Sequence, residues 1–396
     1  MQAARMAVGI LASCIALDGA RASPAGEFKA CLAEVRKQAR AEGITQKTWS
    51  GALEGVEPDP TVIEAMDYQP EFVAPIWDYI AGLVDGPRIA NGREKLAAWE
   101  ATLAQMEARF GVDRHVLVAL WGVETNYGTL MGRRPLVRSL ATTACFGRRQ
   151  KYFREELVAT LRIVQNGDVK PALLKGSWAG AFGQTQFMPS TFHRVAIDFD
   201  GDGRRDIVGS VPDALASSAN YLKDAGWQPG KPWGYEVVLP AGYDGPSGRR
   251  QRATLDQWAA RGIRRLDGTP VAGAERAALF VPSGVRGPAF MVFANFDAIV
   301  AYNASESYAL AIAHLADRMN GGEPFRTPWP TDDPGLTRAQ RRELQELLKA
   351  RGFDIGEPDG IVGPRTADAV REFQRGAGLP VDGYAGARVL EALRAK

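Results

Sequence analysis

Two separated segments hold the residue types best suited to chemistry. The first, Trp121-Gly-Val-Glu124-Thr-Asn-Tyr127-Gly128, places one carboxylate among apolar residues. The second runs Gly176-Ser177-Trp-Ala-Gly180-Ala-Phe182-Gly183-Gln184-Thr-Gln186-Phe187-Met-Pro189-Ser190. Spacing predicts a helix over 113–125 with Asp113 as its N-cap. On that helix Leu117, Leu120, Trp121 and Glu124 share one face. A carboxyl set among apolar side chains loses hydration when charged, so its pKa is expected to rise. Such a group can hold a proton near neutral pH, give it to a leaving oxygen and take one back. The alternative is a helix-end glutamate that faces solvent.

The second segment has a complementary character. Gly176, Gly180 and Gly183 permit close backbone approaches. Ser177, Gln184 and Gln186 hydrogen-bond without charge, which suits sugar hydroxyls and acetamido groups. Trp178, Phe182 and Phe187 offer flat apolar faces to sugar rings. Together the two segments fit an acid held in a carbohydrate cleft, and the alternative is a structural glycine-rich loop.

These segments resemble the signature of the lytic murein transglycosylases of the B type, a lysozyme-like family acting on peptidoglycan. The resemblance continues through Asp198-Phe-Asp-Gly-Asp-Gly203, Ala219-Asn-Tyr221-Leu and Tyr302-Asn303-Ala-Ser-Glu-Ser-Tyr308-Ala, in order across residues 25–320. It implies that Glu124 is the single catalytic acid and base and that Ser177 hydrogen-bonds it. It implies that Gln186 and Tyr221 line sugar subsites, and that Asn303 and Tyr308 return to the cleft beside the glutamate. Gln184 stands where such proteins often carry an aromatic. The implied reaction cleaves the bond between N-acetylmuramic acid and N-acetylglucosamine without water and leaves a 1,6-anhydromuramoyl end. The span Trp121 to Gly128 holds no second acid, whereas a conventional lysozyme needs two carboxylates. The alternatives are a hydrolytic muramidase and a non-enzymatic peptidoglycan-binding scaffold.

Asp198, Asp200 and Asp202 stand at alternating positions with Gly203 next, as in the start of an EF-hand loop. Gly209 occupies the place of the usual closing glutamate; Asp213 could close the site instead, and the Arg204 carbonyl would be a further ligand. The expectation is a structural Ca2+ with no cofactor required for chemistry. The alternative is a plain Asp/Gly turn.

The chain has 396 residues, 45% of them hydrophobic, and a formal charge of +2; this suits two or three globular domains. Near-neutral charge without a long basic block argues against nucleic acid as partner, and Arg249-Arg250-Gln251-Arg252 reads as solvated surface. Residues 1–22 read as a signal peptide, with Arg5, an apolar run from Met6 to Leu17, and Ala20-Arg21-Ala22 before the cut. The run is too short to span a membrane. The expected protein is exported and periplasmic, a monomer without a transmembrane span, whose partner is peptidoglycan glycan strands. The alternative is an outer-membrane lipoprotein anchored at Cys14. When the signal peptide is removed Cys14 leaves with it, and Cys31 and Cys145 remain, able to pair in an oxidising compartment. His115, His193 and His314 stand in no nucleophile or zinc context.

The expected fold is mainly α: a lysozyme-like α-rich catalytic domain over 23–320, a small β-containing insertion at about 226–295, a Pro/Gly-rich linker at 321–335 and a three-helix domain over 336–396. Helical periodicity or capping marks 27–42, 93–110, 113–125, 149–165, 212–224 and 305–319; short strands are expected in 235–240, 278–282 and 289–293. The tail opens on the capping box Thr337-Arg-Ala-Gln340. It contains the repeat Asp359-Gly-Ile-Val-Gly-Pro-Arg and Asp382-Gly-Tyr-Ala-Gly-Ala-Arg. It resembles the small peptidoglycan-binding module found beside wall enzymes.

Overall fold

The computed structural model describes residues 24–67 and 74–395. The expected signal peptide and Cys14 lie outside them. The fold is mainly α, with a small sheet and a C-terminal helical domain. Helices α1 (Pro24–Ala41), α2 (Gln46–Leu53) and α3 (Pro60–Glu64) come first. They are followed by α4 (Ile76–Leu83), α5 (Gly86–Ala98), α6 (Glu100–Phe110) and α7 (Arg114–Thr125). Strand β1 (Arg134–Pro135), α8 (Leu136–Cys145), α9 (Gln150–Asn166), β2 (Lys175–Gly176), α10 (Pro189–Val195) and α11 (Val211–Asp224) complete the first half.

Two apolar cores divide this body. One gathers α4 to α7, α11 and the later helices α13 (Ala294–Asn303) and α14 (Glu306–Met319). The other gathers α1, α2, α8, α9 and α10, with Phe182 and Phe187 from the glycine-rich segment. A disulfide between Cys31 and Cys145 ties α1 to the end of α8 across 114 residues of chain. Closing a loop of that size removes unfolded-state entropy worth about 2–5 kcal/mol.

The expected helix over 93–110 is two helices. Trp99 leaves helical geometry at φ −112°, ψ 18°, ending α5 and starting α6. The break follows from packing. A side chain at Gly92 would overlap Met319 and the Tyr127 hydroxyl, so α5 lies pressed against α14. Trp99 packs against the same core from the break. α6 then ends where Gly111 takes a left-handed φ of 72°.

The insertion is a five-stranded antiparallel sheet in the order β4-β6-β7-β3-β5. Its strands are β3 (Gly234–Val238), β4 (Arg252–Thr254), β5 (Arg264–Arg265), β6 (Arg276–Phe280) and β7 (Ala289–Val292), with α12 (Leu255–Ala260) between β4 and β5. β6 sends Ala278 and Phe280 into the helical body and Ala277 and Leu279 into the insertion's own core under Trp258. Both faces are buried, so β6 and β7 read as apolar runs rather than alternations.

Residues 321–335 lie along the body. Phe325 stacks on His314 at 3.8 Å and meets Phe290 edge-on at 4.7 Å. The Glu236 carboxylate accepts the backbone N–H groups of Arg326 and Thr327, each at 2.8 Å. The tail helices α15 (Arg338–Ala350), α16 (Pro364–Ala377) and α17 (Ala387–Ala395) enclose their own core around Leu344, Val370 and Leu390. Among the described residues no helix is long and apolar enough to cross a membrane.

Burial pushes the Asp317 carboxyl up to about 6, and Trp233 Nε1 donates to its Oδ2 at 3.0 Å. The folded state therefore binds this proton more tightly than the unfolded chain. Asp317 favours folding below the usual carboxylate range, and that contribution disappears as pH rises through 6. Asp317→Asn keeps the acceptor for Trp233. It is expected to raise stability at pH 7.5 by about 1–3 kcal/mol more than at pH 4. Urea denaturation at both pH values checks this, and an equal effect at the two would refute it.

Candidate functional site

The segment from Trp121 to Gly128 sends successive residues to different partners at the seam between the two cores. Trp121 Nε1 donates to Gln184 Oε1 at 2.9 Å. Gly122 makes room for the Tyr127 ring, since a Cβ there would lie 2.7 Å from Tyr127 Cζ. Thr125 Oγ1 donates to the Gln184 carbonyl at 2.6 Å. Asn126 and Tyr127 take left-handed φ values of 48° and 57°, which end α7 directly after the carboxylate. Two successive non-glycine residues there carry a conformational cost. It is met by the hydrogen bond from the Tyr127 hydroxyl to the Arg88 carbonyl at 2.7 Å and the Trp121–Tyr127 edge contact. Gly128, at φ 83°, passes so close to Gln184 Oε1 that a Cβ would lie 2.2 Å from it.

Glu124 is half-buried at the end of this turn. The Tyr308 hydroxyl donates to Glu124 Oε1. Tyr308 is buried, and its ring lies nearly parallel to that of Tyr302. Burial first and the Glu124 charge second push both phenols well above their usual range. Both remain protonated donors at any working pH. The Tyr302 hydroxyl donates to the Thr185 carbonyl at 2.9 Å and lies 3.1 Å from Ser218 Oγ. The Tyr221 ring sits 4.8 Å from that of Tyr302, and its hydroxyl donates to the Ala301 carbonyl at 2.6 Å. Asn303, half-buried, follows Tyr302 as the last residue of α13.

The glycine-rich segment folds back on itself through bridges from Gly176 to Phe182 and from Phe182 to Phe187. Ser177 Oγ accepts the Ala181 N–H at 3.0 Å, so this hydroxyl closes the loop. Gln186 holds φ 52°, and its Nε2 donates to the carbonyls of Met131 and Gly183. Three readings of this segment change. Phe182 and Phe187 are core residues, fully occupied within the second cluster rather than open to a sugar. Gln184 is buried as well, with both ends of its amide used, because Nε2 donates to the Val208 carbonyl at 3.0 Å. Trp178 is the aromatic of the three that keeps partial exposure. α10 begins at Pro189, and the Glu156 carboxylate accepts both Ser190 N–H and Oγ–H, acting as its cap from α9.

The Asp198–Asp202 segment brings three carboxylates together, with an oxygen from each of Asp198, Asp200 and Asp202 within 4.8 Å of the others. That all-oxygen set suits a hard divalent cation. Asp213 is occupied differently. Fully buried beneath the loop, it accepts the N–H groups of Phe199, Asp200 and Asp206. Arg204 turns its guanidinium onto Asp202 at 2.7 Å.

Residues 27–317 match the transglycosylase SLT domain family, and residues 337–393 match a peptidoglycan binding domain family. The chain superposes on SltB3 from Pseudomonas aeruginosa, solved in complex with NAG-anhNAM-pentapeptide, with a TM-score of 0.89 and 47% identity. That match covers 93% of this chain and 99% of SltB3. The Escherichia coli lytic transglycosylase Slt35, solved in complex with calcium, matches with a TM-score of 0.65 and 28% identity over 75% of this chain and 93% of that one. Membrane-bound lytic murein transglycosylase B of Escherichia coli (strain K12) is 33% identical over 236 residues, 58% of this chain. The chain spans 63% of that relative's length.

Gln184→Leu would leave the Trp121 N–H and the Val208 carbonyl buried without partners. The expected loss is about 2–4 kcal/mol of folding stability, read by chemical denaturation. A loss near that of an exposed substitution would show that water replaces the amide.

Proposed function

The chain belongs to the transglycosylase SLT domain family and ends in a peptidoglycan binding domain, and from that premise we propose that it is a lytic transglycosylase of peptidoglycan with Glu124 as its acid and base. The observation that carries this reading is the hydrogen bond from Tyr308 to Glu124. It fixes one carboxyl group at the seam of two cores, and both nearby phenols feel that carboxylate's charge.

In the proposed reaction Glu124 begins protonated and gives its proton to the glycosidic oxygen between N-acetylmuramic acid and N-acetylglucosamine. The bond from the muramoyl anomeric carbon to that oxygen breaks. The 2-acetamido oxygen stabilises the positive carbon, as in substrate-assisted glycosidases. The C6 hydroxyl of the same sugar attacks, and its proton returns to the Glu124 carboxylate. One C–O bond is broken and one formed, no water is consumed, and Glu124 ends as it began. Tyr308 stays a neutral donor throughout, so it steadies the ionised state and keeps the carboxyl oriented when it is protonated. Gln186, Tyr221 and Asn303 belong to the cleft wall around the sugar in this reading, and Ser177 shapes the loop beside it.

We also assign a structural Ca2+ to the Asp198, Asp200 and Asp202 carboxylates and the Arg204 carbonyl, with Asp213 bracing the loop from below. The donor chemistry supports it, as does the calcium in the Slt35 structure. The ion supplies charge neutralisation, and no step of the reaction passes through it. Residues 1–22 are assigned as an export signal, which places the mature enzyme in the periplasm; the Cys31–Cys145 disulfide is in keeping with an oxidising compartment.

Mass spectrometry of the material released from purified sacculi tests the reaction. The expected muropeptides are lighter by one water than hydrolysis products, and Glu124→Gln lowers their release by at least about a hundredfold. Ordinary reducing ends would mean a muramidase, and binding without release would mean a scaffold. For the metal, saturating Ca2+ is expected to raise the unfolding free energy of the chelator-treated protein by about 2–3 kcal/mol. Asp200→Asn should remove that gain, and the absence of any Ca2+ effect would sink the assignment.

A further inference from the structure

Tyr308 reaches Glu124 only if the corner between α13 and α14 holds its angle. That corner turns on Ala304, a non-glycine residue at φ 42°, and is sealed on its inner side by Ser305, whose Oγ accepts the Tyr308 N–H. α13 carries Tyr302 as its penultimate residue, and α14 carries Tyr308 in its first turn, so both rings move if the corner opens. Both helices lie in one apolar core, and the polar contacts at the corner act on top of that packing.

A guanidinium from the insertion spans this corner. Arg249 Nη1 donates to Asp297 Oδ1 on α13 at 2.8 Å, and its Nε donates to Glu306 Oε1, at the first residue of α14, at 3.1 Å. The Arg249 side chain is 23% exposed, so these are partly desolvated contacts rather than free surface pairs. Its own loop is braced: Gly248 N–H donates to the Leu279 carbonyl on β6 at 2.7 Å, and Tyr243 donates to the Pro246 carbonyl at 2.7 Å. Arg252, on β4, pairs with the other oxygen of Asp297. In the Arg249–Arg252 run, expected as solvated surface, Arg250 and Gln251 are exposed while Arg249 and Arg252 are partly buried and paired. Two of its arginines join the insertion to the helices that bear the tyrosines.

We propose that Arg249 is a positioning residue for the reaction, clamping the α13–α14 corner through Asp297 and Glu306 so that Tyr308 stays in reach of Glu124. Without it, two carboxylates face each other across the corner with Arg252 left on one of them, and the corner loses its polar brace. This rests on the assignment of Glu124 as acid and base. It gives the insertion a part in catalysis that requires no contact with substrate.

A double-mutant cycle tests it, with kcat and KM measured on soluble peptidoglycan strands. Arg249→Ala is expected to lower kcat on the order of tenfold with KM changed less than about twofold. In a Tyr308→Phe background, where the hydrogen bond is already gone, Arg249→Ala is expected to cost little more. Glu306→Gln, which breaks one arm of the clamp and is gentler on folding, should show the same dependence on Tyr308 with a smaller loss. Equal losses in the two backgrounds, or a loss confined to thermal stability with kcat intact, would overturn the assignment. Activity persisting in Glu124→Gln would overturn the reading beneath it as well. An inactive Glu124→Gln protein with additive Arg249 and Tyr308 effects would overturn the clamp alone.

Discussion

Holding the half-buried Glu124 carboxyl in one direction is the constraint around which this structure is arranged. It lies at the seam between two apolar cores, where one side of the carboxyl has no apolar neighbour to fix it. The hydrogen bond from Tyr308 supplies the missing restraint from 184 residues away. A phenol suits this position because burial and the Glu124 charge keep it protonated.

The seam itself is held by polar groups that do no chemistry. Gln184 joins Trp121 of the first core to Val208, which packs against the second. Tyr302 packs against both cores and anchors itself on the Thr185 carbonyl. Buried amides and phenols are costly unless every partner is met. Here each bond joins elements distant in sequence, so the same groups that satisfy burial also specify the relative placement of the two cores.

Much of the fold was legible in the sequence where a local signal exists. Asp113, Ser305 and Thr337 cap the helices expected to follow them. The strands at 234–238, 276–280 and 289–292 appear near their expected places. β4 and β5 were missed because runs of three and two residues rich in arginine show no alternation; their identity comes from neighbours in the sheet. α13 was missed because its sequence, Ala294 to Asn303, is apolar nearly all round, which erases the stripe that periodicity detects. At the site, the residue types pointed to a sugar cleft, but type does not reveal which amide or ring is already occupied. Gln184, Phe182 and Phe187 look like sugar partners in the sequence and are structural in space. Arg249 looked like surface because Asp297 and Glu306 lie 48 and 57 residues further along the chain. The resemblance to a known family carried Glu124 and Tyr308 to one place, which periodicity alone would not have done.

The carboxylate loop at 198–206 belongs to the same framework. Asp213 gathers three backbone N–H groups of that loop, and the loop's continuation turns the Ile207 and Val208 carbonyls toward Gln184. Ile207 also presses on Gly183 so closely that a Cβ there would lie 2.8 Å from its carbonyl oxygen. The order of the acidic loop thus bears on Gln184, and Gln184 bears on Trp121, one helical turn before Glu124. Repulsion among Asp198, Asp200 and Asp202 would strain the first link of that chain, and Arg204, paired with Asp202 alone, answers only part of it. A cation among the three carboxylates would act on Glu124 through the stiffness of the wall behind it.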